Sequence, residues 1–534
     1  MILETQPLLQ VVALGVLTHL YFRKFEPTSL TNLVSIIVPA PLALLAIQKV
    51  APLNAGQILL TYSVFLVSLI CSIVLYRVSP FHPLAKYPGP LINKITQFRN
   101  VWVQHTGHLH LVNKDLHDKY GPFVRIGPNE LSVIDINAAL AILGPGGLGK
   151  GRYYEARKDP RAPGNLLALQ GQAHTDRRRL WSRAFTNESL ANHEDALVKR
   201  VESLLTNLTN VSSSPSVDLS MWLSLFSLDF MGDMASISIL SQVPWVVQTA
   251  QRLPFLSENI LKLRQFAVEH GTARFKKGAD KKDLWYHLVG AFKDHQPRTH
   301  SFSQSDEAGL EKERPAVGAV IADSALAMIA GSDTTATGLS NLFYFLMSHP
   351  HCLKRLQAEI DDVFPKDESP LSSSKHSKLP YLTACINECL RLLPPAPTNG
   401  PRQVPQDSSG RLFAGRFIPA GTQVYTPIYS IHRNPEYFSP QTDEFVPERW
   451  LASGRDDADQ TLNLNAFIPF SYGQANCVGR NLARREMMMV ASAVIHKFDI
   501  RFADGFKPEA WVDQLHDHFV TTRGALPVIL SLRV

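Results

Sequence analysis

Three apolar runs open the chain. Gln57 to Tyr76 holds no charged residue over twenty positions, and as a helix it spans about 30 Å, the thickness of a bilayer's hydrocarbon core. Pro27 to Gln48 is a second uncharged run, with Pro39 and Pro41 expected to kink it. Pro7 to Phe22 is a third, weaker one. The two weaker runs also suit interfacial or re-entrant segments. The extreme N-terminus carries Glu4 and no Lys or Arg, which argues against a cleaved signal peptide. Arg23 and Lys24 follow the first run, and Arg77 and Lys86 follow the last. If all three runs span, these basic pairs fall on one side, as the positive-inside rule asks.

Past residue 87 the apolar spacing becomes amphipathic and is punctuated by Gly and Pro. Lys86-Tyr87-Pro88-Gly89-Pro90 stops any helix and forms a stiff, bent connector. Leu109 to Tyr120 has a helical period. Phe123–Ile126 and Leu131–Ile134, joined by Gly127-Pro128-Asn129-Glu130, read as a β-hairpin. Residues 190–295 are mostly helical in period, with a Ser/Asn/Pro-rich break from Asn207 to Ser216, and 296–313 read as an exposed loop. Ala316 to His349 reads as one long helix, Phe413 to Tyr429 as a small sheet and 478–498 as a helix. Phe519 to Leu532, with a turn at Arg523-Gly524, reads as a closing hairpin.

Composition narrows the class. The chain has 534 residues, 45% hydrophobic and 19% charged, enough for one large globular domain beside membrane segments. A formal charge of +6 without a dense basic tract gives no support to nucleic-acid binding and suits a membrane surface or an acidic partner. The five cysteines are scattered and form no C-x-x-C pair, so a disulfide framework is not expected. Cys385 and Cys389, four apart on an expected helix, read as core residues.

The chemistry concentrates at Phe470-Ser471-Tyr472-Gly473-Gln474-Ala475-Asn476-Cys477-Val478-Gly479. A cysteine on a glycine-bounded loop directly before a helix gains from unpaired backbone N–H groups and the positive end of the macrodipole, both of which favour thiolate. The glycines let the backbone approach something flat and large. Upstream, Ala330-Gly331-Ser332-Asp333-Thr334-Thr335 lies in the middle of the long helix. Small residues there permit a local opening or a close approach, and a Thr hydroxyl bonds back to the helix or holds a water. His174 and Arg178 share a helix face, as do Glu388 and Arg391. Singly, each has a plainer explanation: a buried small cysteine, a tight helix crossing, a solvated basic face and a surface ion pair.

Taken in order, these stretches resemble the cytochromes P-450. Phe470, Gly473, Cys477 and Gly479 match the family's haem-binding loop, whose Arg position is Ala475 here. Ala330–Thr335 matches its oxygen-activation motif, and Glu388-x-x-Arg391, Pro401-Arg402 and Pro447-Glu448-Arg449-Trp450 complete the sequence of motifs over residues 80 to 534. The resemblance implies a mainly α fold with small β regions in a catalytic domain, 88–534, behind an anchor, 1–87, of up to three transmembrane helices. It implies haem b ligated by Cys477, with His174, Arg178 and Arg402 on the propionates and Phe470, Gly473 and Gly479 shaping the pocket. Asp333 and Thr334 would manage protons, while Glu388, Arg391 and Arg449 would form a structural network. Gly149 to Tyr154, a surface loop with two aromatics by its own residues, would lie over the haem, and the 190–295 region would form a lid. The implied activity is monooxygenation of a lipophilic small molecule, such as a terpenoid or another secondary metabolite. Electrons would come from NADPH through NADPH–cytochrome P-450 reductase, with cytochrome b5 as a further partner. The implied location is the endoplasmic reticulum membrane of a fungus, with the catalytic domain in the cytosol. Two rivals remain: a haem enzyme that rearranges its substrate without a reductase, against which the intact Asp333-Thr334 pair speaks, and an inactive scaffold, which only Ala475 favours.

Overall fold

A computed structural model describes residues 5–27, 29–48, 54–157, 164–191, 194–231, 317–365, 368–452 and 461–533. The expected lid beyond residue 231 and the polar loop over 296–313 lie outside the described residues.

The first and third apolar runs form the helices Thr5–Lys24 and Ala55–Val78. The middle run forms two, Leu30–Ile37 and Pro39–Ile47, broken at Val38 where the prolines supply no backbone N–H. The Tyr62 hydroxyl donates to the Val38 carbonyl at this break, so the polar group is satisfied within the bundle. Two segments, Leu30–Ile47 and Ala55–Val78, are long and apolar enough to cross a membrane. The first and last helices run parallel. A Cβ on Gly15 would lie 2.0 Å from Ser68 Oγ, His19 Nδ1 is 2.7 Å from Ser72 Oγ, and the Arg23 guanidinium lies 4.4 Å from the centre of the Tyr76 ring. Gln48, at the end of the middle run, donates back to Gln10 Oε1 at 2.7 Å. Arg23, Lys24 and Arg77 therefore share one end of the bundle.

That end is fastened to the rest of the chain. Arg77 Nη1 donates to the Ile95 carbonyl at 2.6 Å, and the buried Arg125 donates to the carbonyls of Arg77 at 3.0 Å and Pro128 at 2.9 Å. The Pro-Gly-Pro connector lies along the first strand, with Arg125 N donating to the Pro88 carbonyl at 2.7 Å. A Cβ on Gly89 would fall 2.2 Å from the Arg125 carbonyl oxygen, so only glycine permits this approach.

The expected helix Leu109–Tyr120 and hairpin Phe123–Gly127/Glu130–Val133 both form. The hairpin grows into a five-stranded sheet: Glu130–Val133 runs parallel to Gln423–Tyr425, which pairs antiparallel with Arg402–Gln403, itself antiparallel to Gly149–Lys150. Gly149–Tyr154, read from sequence as a loop, thus supplies an edge strand and the start of a 3-10 turn, Arg152–Arg157. The closing hairpin needs correction. His516–Asp517 pairs with Thr521–Thr522, whereas Pro527–Leu532 pairs with Phe498–Phe502 and Val217–Asp218. Arg523 and Gly524 connect two sheets instead of turning one hairpin. Alternation reveals a strand but not its partner, and here the partner is distant.

Helices surround this framework. Glu194–Val211 runs past the break expected at Asn207, because Leu197, Val201, Leu204 and Leu208 keep one apolar stripe buried. It packs with Leu219–Met231, Val317–Ser348, Pro350–Val363, Pro380–Leu392 and Arg480–Lys497 around the main core, which also takes in Cys385 and Cys389.

Inside that core lies a fully buried carboxylate. Arg391 donates to Glu388 from Nε and Nη2, both at 2.8 Å, Arg449 Nε at 2.9 Å and the Trp450 indole at 2.9 Å. Arg391 also ties the carbonyls of His432, at 2.9 Å, and Thr442, at 2.6 Å. Burial alone would push the Glu388 carboxyl up, but Arg391 and then Arg449 hold it below the usual range. Replacing Glu388 with Ala strands two buried guanidinium groups. The expected loss is about 3–5 kcal/mol, read as a fall in the denaturation midpoint of the detergent-solubilised protein, with Glu388→Gln between the two.

Candidate active site

The cysteine loop is fixed by its backbone. Cys477 N donates to the Phe470 carbonyl at 2.8 Å, closing the loop on itself. Gly473 has φ +75°, and a Cβ there would lie 2.0 Å from the Leu143 carbonyl oxygen, so the loop rests on the end of the Ile136–Leu143 helix only because that residue is glycine. Gly479 is different. A Cβ on it would meet Phe185 at 3.8 Å and Cys477 Sγ at 3.9 Å, ordinary contacts, so the protein does not itself demand glycine there. A side chain at 479 would instead fill the space beside the sulfur. Phe470 is half-buried, with the Arg484 guanidinium 5.6 Å from its ring centre.

Cys477 is exposed, two residues ahead of Gly479 and just before the helix Arg480–Lys497. Desolvation by the surrounding protein pushes its thiol up, while the Gly479 N–H, Arg178 and Arg480 act in the opposite direction. The helix end therefore helps the thiolate, as expected, without outweighing desolvation.

Beside the loop the fold assembles four basic side chains. His174 and Arg178 come from the helix Gly171–Ala184. Lys150 and Arg402 stand directly opposite each other on paired strands. None of the four makes an ion pair with a carboxylate among the described residues. Arg178 grips the loop through the Asn476 carbonyl and, at 2.7 Å, Asn476 Oδ1. Lys150 donates to the carbonyls of Leu166, Leu167 and Leu169 at 2.9, 2.7 and 3.1 Å. Burial, then Arg402 and Arg178, bring its ammonium down to about 7. Burial, then Lys150, Arg178 and Arg402, bring His174 down to about 4. Arg402 is buried and its Nε has no partner among the described residues. Crowded basic groups with an orphaned guanidinium N–H fit an anion. Together with the room above Gly479, they suit a flat cofactor that carries carboxylates.

The central helix, Val317–Ser348, stays α-helical through its motif. Gly331 gives a close approach, since a Cβ there would collide with Met231 Cε at 2.3 Å. Thr334 Oγ1 donates to the Ala330 carbonyl at 2.6 Å, the expected back-bond. Asp333 is half-buried; burial pushes its carboxyl up and Arg523 opposes that.

Several residues were not singled out from sequence. Asp323, fully buried on the central helix, accepts from Arg177 Nη1 at 2.7 Å, the Trp181 indole at 2.9 Å and Leu166 N at 2.8 Å. It thereby locks the helix that carries His174 and Arg178. His432 accepts from Ile468 N at 3.0 Å and donates to the Arg391 carbonyl at 3.2 Å, linking the Glu388 network to the approach to the loop. Burial, then Arg391, hold this imidazole neutral, at about 3. The only hint of Asp323 in the sequence is an acidic residue in an otherwise apolar helical stretch; His432 and Lys150 carry no local signal.

A mostly helical fold with a cysteine loop, a basic cradle and a motif-bearing central helix defines the haem-thiolate monooxygenases. The sequence profile described as Cytochrome P450 matches residues 86–236 and 296–523. The chain belongs to the cytochrome P450 family, fungal in type, and is a monooxygenase of small molecules whose family uses a cysteine-ligated haem iron and reductase electrons. It is similar to Cytochrome P450 67 of Uromyces fabae, 31% identical over 96% of both chains. It is also similar to Cytochrome P450 monooxygenase FCK2 of Fusarium pseudograminearum, 30% identical over 97% of this chain and 96% of that one. Trichothecene C-15 hydroxylase of Fusarium sporotrichioides is 32% identical over 85% of this chain and 94% of its own.

Replacing Asp323 with Ala leaves Arg177 and the Trp181 indole without their acceptor. The expected cost is about 3–5 kcal/mol, together with a lower haem-to-protein ratio in purified material. Asp323→Asn retains an acceptor and should lose less of both.

Proposed function

We propose that this chain oxidises a lipophilic small molecule, a terpenoid or another secondary metabolite, by inserting one oxygen atom of O2 into a C–H bond. One relative is named for hydroxylating trichothecene and another for hydroxylating tryprostatin B, which supports a secondary-metabolite substrate. The substrate, O2, two electrons and two protons give the hydroxylated product and one water. The electrons come from NADPH through NADPH–cytochrome P-450 reductase, with cytochrome b5 as an auxiliary donor. Residues 1–87 anchor the protein in the endoplasmic reticulum membrane by up to three helices, and 88–534 face the cytosol. The shared basic end of the parallel first and third helices supports that orientation.

In this reading Cys477 would hold the iron of haem b, which when bound would supply the O2 and redox chemistry. The chain's own groups do the rest. Arg402, His174 and Arg178 hold the propionates, with the Lys150 charge beside them. That set covers the charge that Ala475 does not provide. Gly473 lets the loop rest on the Leu143 carbonyl, Gly479 leaves the space beside the sulfur free for the cofactor, and Phe470 limits water at the sulfur. Asp333 takes protons from solvent and Thr334 passes them toward the cleft. Glu388, Arg391 and Arg449 keep the loop's foundations rigid.

The observation that carries this reading is the unpartnered Arg402 Nε among the basic side chains beside the cysteine loop. Reduced membranes treated with carbon monoxide should show a strongly red-shifted Soret band, and Cys477→Ala should abolish it. An unshifted carbonyl band, or folded protein without haem, overturns the reading.

A further inference from the structure

Arg523 follows the small His516–Thr522 hairpin and lies between the helices Leu219–Met231 and Val317–Ser348. Its guanidinium donates only to uncharged acceptors among the described residues. Nε donates to Ser220 Oγ at 3.1 Å, Nη2 to Ser224 Oγ at 2.5 Å, and Nη1 to Thr337 Oγ1 at 2.6 Å and to the Asp333 carbonyl at 3.5 Å. Among the described residues, no carboxylate lies within ion-pairing distance of it. An arginine taken out of water with only uncharged acceptors for company is an expensive arrangement unless an anion stands close by.

Asp333 and Thr337 are four residues apart and therefore stack on one face of the central helix. A guanidinium bonded to Thr337 Oγ1 and to the Asp333 carbonyl lies along that same face. The Asp333 carboxyl makes no hydrogen bond or ion pair among the described residues, and Arg523 is the charged group facing it. Asp218 also faces Arg523, more weakly than Asp333 does, and its Oδ1 accepts from the backbone N–H groups of Leu526, at 2.9 Å, and Met221, at 3.3 Å. The serines and Thr337 thus hold a cation in place without neutralising it.

We propose that Arg523 is the positioning residue for proton delivery. Fixed by Ser220, Ser224 and Thr337, it serves as the counter-charge for the Asp333 carboxylate beside Thr334. This rests on the reading of Asp333 as the proton carrier. Burial pushes the Asp333 carboxyl up and Arg523 opposes it, so removing the cation raises the pH below which the carboxyl is held protonated. A carboxyl that already holds its proton cannot accept the next one from solvent.

The test needs no identified substrate. Full-length, haem-loaded protein is reconstituted in vesicles with the reductase and NADPH, and peroxide formed per NADPH consumed is followed against pH. Two electrons and two protons per O2 give hydrogen peroxide, and four of each give two waters, so weak proton delivery diverts electrons to peroxide. Arg523→Gln should lower the rate of the water-forming branch by roughly tenfold, a fraction of what a positioned acid or base contributes. It should also move the acid limb of that branch to higher pH, with Arg523→Lys restoring much of both. Ser224→Ala, which leaves the charge but loosens its holder, should lie between. Asp333→Asn run in parallel separates the two claims. If Asp333→Asn leaves the partition unchanged, the proton-carrier reading itself fails. If Asp333→Asn diverts electrons while Arg523→Gln matches the parent in partition and pH profile, Arg523 is only a brace and the proposal fails. Should Arg523→Gln lose its haem, Arg523→Lys and Ser224→Ala decide: a shifted acid limb supports the proposal, and an unshifted one overturns it.

Discussion

A cysteine that must face an open cleft cannot be fixed by burying its own side chain, so everything around Cys477 works on the backbone of its loop. The loop closes on itself through Cys477 N and the Phe470 carbonyl. It leans on the Leu143 carbonyl where only Gly473 fits, and Arg178 holds it at Asn476. Just upstream, Ile468 N donates to His432, which in turn reaches the buried carboxylate network. Each contact is modest. Together they set the sulfur's direction.

The buried charges are sorted by sign and by purpose. Glu388 is surrounded by two guanidinium groups, an indole and a backbone N–H, so its charge is fully compensated and its job is rigidity. On the other side of the loop Lys150, His174, Arg178 and Arg402 are crowded without a matching carboxylate among the described residues, which is the pattern of a binding site. Asp323 belongs to the first kind, and it fastens the helix that bears part of the second. Stability and binding thus use the same side-chain chemistry, distinguished by whether the count of opposite charges closes.

Legibility followed chemical constraint. The long central helix, the helix Leu109–Tyr120, the first hairpin and the proline break near Val38 were all readable, because periodicity and proline act locally. The cysteine, Gly473 and the Glu388 set were readable because ordered motifs resemble a family. The pairing of the third and fourth strands into the main sheet, the edge strand at Gly149–Lys150 and the split at Arg523-Gly524 were not, since strand pairing over hundreds of residues leaves no local trace. Asp323 and His432 escaped for a related reason. Each looks like an ordinary polar residue until the helices it joins are packed.

By itself the sequence determined which segments are apolar, where helices must stop and which cysteine stands on a glycine loop before a helix, because these depend on side-chain chemistry within a few residues. Only the tertiary structure decided that Lys150 faces Arg402, that Arg178 holds the loop at Asn476, and that the helix Thr5–Lys24 packs against Ala55–Val78. Those facts depend on which distant surfaces bury each other. Desolvation then turns ordinary charged residues into a brace in one place and a cradle in another.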